Sequence, residues 1–80
     1  MTNNKQLRRR FRKECSNLCR NVRRLRIQHG FSRIGLAKKL KISPATLCVL
    51  ELGIIPSWLS TETLFYMQEL FNVSVMELFL

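Results

Sequence analysis

Lysine and arginine are missing from the second half of this chain. From Ile42 to Leu80 there is neither, and four acids stand there: Glu51, Glu62, Glu69 and Glu77. With one histidine and five acids in 80 residues, no set of nucleophile, base and orienting group is suggested, so an enzyme is not expected. No apolar run approaches the roughly 20 residues of a bilayer span. The basic N-terminus lacks the apolar stretch that follows in a secretory signal, so neither membrane insertion nor export is expected. Three cysteines, an odd number, do not make a disulfide framework; they suit the reducing cytoplasm, as small buried hydrophobes. Cys15 and Cys19 share one helical face, but a closed zinc site needs two more ligands and His29 lies too far along the same helix. Neither a metal nor another cofactor is expected. No repeat, low-complexity stretch or Gly/Ser linker divides the chain, which reads as one domain.

What is present is positive charge in one place. All fourteen Lys and Arg fall between Lys5 and Lys41, with Glu14 the sole acid among them. The two halves therefore carry about +13 and −4, an asymmetry that points to a polyanionic partner. Nucleic acid fits best, because neutralising phosphates releases counterions and gives affinity without sequence reading. A basic arm that only keeps the protein soluble is the plain alternative.

Hydrophobic spacing predicts helices throughout. Leu7, Phe11, Cys15, Leu18, Val22, Leu25 and His29 recur every three or four residues, the period of one helical face. This predicts a helix from about Asn4 to His29, with a break conceivable near Ser16 or Asn17, and Gly30 as its stop. Arg8, Arg9, Arg12, Arg20, Arg23 and Arg24 occupy its other face. Ser32 caps a second helix ending near Leu40, with Leu36, Ala37 and Leu40 inward; Gly35 inside it costs about 1 kcal/mol relative to Ala and needs a packing reason. Ser43-Pro44 starts a third helix that runs to about Leu52 and ends at Gly53. Two short helices joined by Lys41-Ile42-Ser43 have the spacing of a helix-turn-helix. Ile54 to Ser60 reads as a loop. Ser60 or Thr61 caps a fourth helix holding Leu64, Phe65, Met67, Leu70 and Phe71, and the capping box Ser74–Glu77 opens a short fifth.

In this order Val22-Arg23-Arg24-Leu25-Arg26, Gly30-Phe31-Ser32, Leu36 to Ser43, Thr46-Leu47 and Leu50-Glu51-Leu52-Gly53 resemble the Cro/phage-repressor family of helix-turn-helix proteins (xenobiotic-response-element type, lambda-repressor-like). Pro56, Leu70-Phe71-Asn72-Val73-Ser74 and Glu77-Leu78-Phe79 complete the resemblance. It implies an all-α, five-helix lambda-repressor-like domain with an N-terminally extended basic first helix. Residues 1–17 would form that extension, continuous with helix 1, and residues 18–80 the helix-turn-helix DNA-binding domain. It further implies a cytoplasmic, repressor-like transcriptional regulator of double-stranded DNA, acting as a homodimer on a two-fold site, of the kind found in bacterial or phage-derived mobile elements.

The resemblance also assigns residues. The third helix would enter the major groove with Pro44, Ala45 and Val49 against bases, and Thr46 with Ser43 near phosphate or base. Ser32, Arg33 and Lys38 would meet phosphate, joined by Arg8, Arg9, Arg10 and Arg12 from the extension. Arg26 would pair with Glu51; a buried Glu51 without a partner would be costly.

The chain departs from the family at the reading positions. Pro44, Ala45 and Val49 offer a base no hydrogen bond, only contact with thymine methyls. Ala45, Cys48, Val49, Leu52, Ile54, Ile55 and Trp58 would form an apolar row of the kind that marks protein interfaces. Two readings stay open: DNA docking with weak base readout, or a protein-interaction module whose partner sits on Val49, Leu52, Ile54, Ile55 and Trp58 while the basic helix contacts an anion. Leu7, Phe11 and Cys15 extend the apolar stripe beyond the family core, so they should cover the fourth helix or a second subunit. Their arginine neighbours straddle phosphates or form a solvated face.

Overall fold

A computed structural model describes residues 4–55 and 59–80, and all regular structure in it is helical. In chain order the helices are α1 (Asn4–Gln28), α2 (Arg33–Leu40), α3 (Pro44–Glu51), α4 (Thr61–Phe71) and α5 (Val75–Leu78). Pro56 and Trp58 lie outside the described residues.

Local chemistry sets the helix ends. Ser32, Ser43, Ser60 and Ser74 are each extended and accept, at Oγ, a hydrogen bond from the amide three residues on. That satisfies one of the orphan donors of each first turn. At the other ends, Gly30, Lys41 and Gly53 take positive φ. Behind each the chain closes a paired motif: Phe31 N donates to Arg26 O, Ile42 N to Ala37 O, and Ile54 N to Val49 O. These are Schellman closures, in which the left-handed residue lets the next amide reach back to a free carbonyl. Lys41 adopts this shape without being glycine, and so ends α2 one residue past Leu40. α1 runs unbroken through Ser16 and Asn17.

The core lies where the five helices meet. Leu18, Val22 and Leu25 of α1 pack with Leu36, Ala37 and Leu40 of α2, Leu47 and Leu50 of α3, Met67 and Phe71 of α4, and Leu78 of α5. His29 and Phe31 lay their rings against Phe71 at centroid distances of 5.1 and 6.4 Å. Each fully buried Leu contributes about 1.5–3 kcal/mol relative to exposure.

Three positions differ from the hydrophobic pattern. Phe65, one of the apolar residues read into the fourth helix, is 52% exposed. Leu7 and Phe11, expected to cover the fourth helix or a second subunit, do not cover the fourth helix: they are 49% and 68% exposed, while α1 packs on α3 and α5. The reason is length. Twenty-five residues of helix span about 37 Å, more than the short helices can cover, and the described chain measures 44 × 24 × 20 Å.

Candidate nucleic-acid interface

α2, the three-residue turn and α3 form the helix-turn-helix, held to α1 by one buried ion pair. Arg26 Nε donates to Glu51 Oε2 at 2.8 Å and Nη2 to Oε1 at 3.1 Å. Its Nη1 donates to the Phe31 carbonyl at 3.1 Å. The guanidinium thereby ties the end of α3 to the turn before α2. Arg33, half exposed, adds a longer contact of 3.5 Å from Nε to Glu51 Oε1. Both cations share one carboxylate, which keeps Arg33 at the mouth of the α2–α3 surface.

On α3, Leu47 and Leu50 point inward while Pro44, Ala45 and Val49 are exposed and Thr46 half-buried. The Oγ atoms of Ser43 and Thr46 lie 2.7 Å apart. That contact uses one of the two hydroxyl protons and leaves the other for an outside acceptor. Ser32 Oγ accepts from Gly35 N at 3.0 Å and keeps its own proton for an outside acceptor. A Cβ on Gly35 would meet that same Oγ at 3.0 Å; this is the packing reason for glycine there. Lys38 is exposed on α2.

Arg23 joins these residues although the sequence reading left it out of the site. With Arg33, Cys48, Glu51 and Leu52 it lines one shallow cleft at the end of α3. A signal was present: Lys5, Arg9, Arg12, Arg20 and Arg23 fall on one row of α1, in steps of three, four or eight. Of that row, Arg23 is the member that flanks α3.

The extension's arginines are not gathered at α3. Arg8, Arg9 and Arg12 line a separate cleft with Lys5, and Arg12 lies about 16 Å along the helix from Arg23. Arg10 is exposed off that row. Two asparagines join this basic helix to the C-terminal end of α5. Asn21 Nδ2 donates to the Leu78 carbonyl at 2.8 Å and Asn17 Nδ2 to the Phe79 carbonyl at 3.2 Å. Each also accepts an arginine at Oδ1, Arg20 on Asn17 at 2.9 Å and Arg24 on Asn21 at 3.5 Å. The apolar row beside α3 is partial. Leu52 and Ile54 are exposed, but Cys48 and Ile55 are half-buried, Ile55 against the core.

Among the described residues no helix is long and apolar enough to cross a membrane. No curated protein and no solved structure matches the chain. A helix-turn-helix family matches residues 22–78, more than half of it, from the α1 segment that carries Arg23 and Arg26 through α5. The chain thus belongs to the Cro/C1-type helix-turn-helix family, a family of DNA-binding domains and not of enzymes.

Proposed function

We propose that the protein is a small cytoplasmic transcriptional regulator, repressor-like, that binds duplex DNA non-covalently and without a cofactor. The observation that carries this is the exposed edge of α3 with phosphate-seeking groups on its flanks. α3 enters the major groove by Pro44, Ala45 and Val49, while Ser43 and Thr46 offer the hydroxyl proton their contact leaves over. Ser32, Arg33, Lys38 and Arg23 meet the backbone on either side, where contacts position the protein but carry no sequence information. Apolar groups on α3 recognise little beyond thymine methyls, so affinity is mainly electrostatic.

Titrating labelled operator-like and random duplexes at several salt concentrations tests this. The expected result is a log–log salt slope of about −0.9 per phosphate contacted, with a small difference between the two duplexes. The exposure of Leu52 and Ile54 favours a second reading, a protein partner on that edge. Absence of binding at low salt would reject the DNA reading and leave that one.

A further inference from the structure

Leu7, Arg8, Phe11 and Arg12 line one open groove on the first turns of α1. Its apolar floor is the same stripe that forms the core further along, continued past the point where the other helices end. Between Lys5 and Lys13 the arm carries six cations and no acid.

A complementary surface exists on α4. Glu62, Phe65 and Glu69 are exposed, and their spacings of three and four place them in one row. α4 contains two carboxylates and no cation. One surface is therefore cation–aromatic–cation, and the other anion–aromatic–anion. The chain cannot join them itself, because α1 is a single rigid helix packed on α3 and α5.

We propose that the arm groove receives α4 of a second copy of this chain, in a two-fold dimer where each arm lies on its partner's α4. Phe65 seats between Leu7 and Phe11, and Glu62 and Glu69 reach Arg8 and Arg12. Charge selects this arrangement over arm against arm, which would oppose six cations to six. Symmetry supplies the area: one such contact is small beside the roughly 1,200–2,000 Å² of a stable interface, but a two-fold operator makes it twice. Opposite charges orient the encounter, and the buried aromatics hold it. The inference does not rest on DNA binding.

Light scattering or sedimentation of the full chain without DNA, over a concentration series, reads the association directly. The parent is expected to dimerise, and Phe11→Ser and Phe65→Ser each to weaken it by about tenfold or more. Both side chains are exposed, so the thermal midpoint at low concentration should stay put. The decisive arm mixes Arg8→Glu/Arg12→Glu with Glu62→Lys/Glu69→Lys. Each variant alone sets like charges together at both contacts and is expected to be monomeric; the mixture restores opposite charges at both and is expected to form a heterodimer. A parent that stays monomeric overturns the proposal. So does a dimer that survives Phe65→Ser, or a mixture that fails to associate.

Discussion

Arg26 and Glu51, 25 residues apart in sequence, meet as a two-pronged pair with side-chain exposures of 11% and 3%. Removing one partner of such a pair strands the other charge away from water. Glu51→Ala is expected to cost about 3–5 kcal/mol, read as a lower midpoint in urea or thermal unfolding. Equal midpoints for variant and parent would contradict the buried pair. In Arg26→Ala, Arg33 would not replace the lost cation, since it is half exposed and its contact with Glu51 is longer.

Asn21 carries a second long-range tie of a neutral kind. Its side chain is buried and its amide answers a carbonyl at the end of α5, one of those a helix leaves unsatisfied. Asn21→Ala should destabilise by roughly 1–3 kcal/mol. Asn17→Ala should cost less, because water can replace that partner at a half-exposed site. The two variants compared by denaturant titration check the ranking.

Gly35 and Ser32 should behave as a coupled pair. Alanine in a helix interior is favoured over glycine by about 1 kcal/mol, yet the new methyl presses on the capping hydroxyl. Gly35→Ala is therefore expected to gain less than that in the parent than in a Ser32→Ala background. A double-mutant cycle measures the difference, and additivity would show that the cap yields freely.

On DNA, Arg23→Ala and Arg33→Ala should each reduce the salt slope by about one, without changing the ratio between duplexes. Arg10→Ala, off the row that leads to α3, should leave the slope as it is. A shift in sequence preference from Arg23→Ala would assign it to a base instead of the backbone.

Burial raises the Cys19 thiol above its ordinary value, helped by the neighbouring Cys15. Cys15 is raised as well, by partial burial and then by Glu14. A folded-state value above the unfolded one stabilises while both thiols stay protonated. That contribution is lost as pH rises through the folded value. The parent should thus lose more stability than Cys19→Ala when pH is raised above about 9. Alkylation at neutral pH should spare Cys19 in the folded chain and reach it on unfolding.

Helix ends and helix faces could be read from the residues because both are local. A serine three residues before an amide caps it, and a glycine just past the end of a stripe stops the helix, wherever the helix lies in space. Ser32, Ser43, Ser60, Ser74, Gly30 and Gly53 are of this kind. Lys41, left-handed without being glycine, was not marked, since the demand comes from Ile42 packing into the core. Periodicity gave Leu7, Phe11 and Phe65 the same standing as Leu18 and Met67. It states that a face is apolar and is silent on whether anything covers it.

Three things depended on where the helices come to rest against one another. They are the bare stretch of α1, the entry of Arg23 beside α3, and the grip of Asn17 and Asn21 on α5. A residue's spacing in sequence sets its direction from its own helix axis; what it meets there depends on how far the other helices extend.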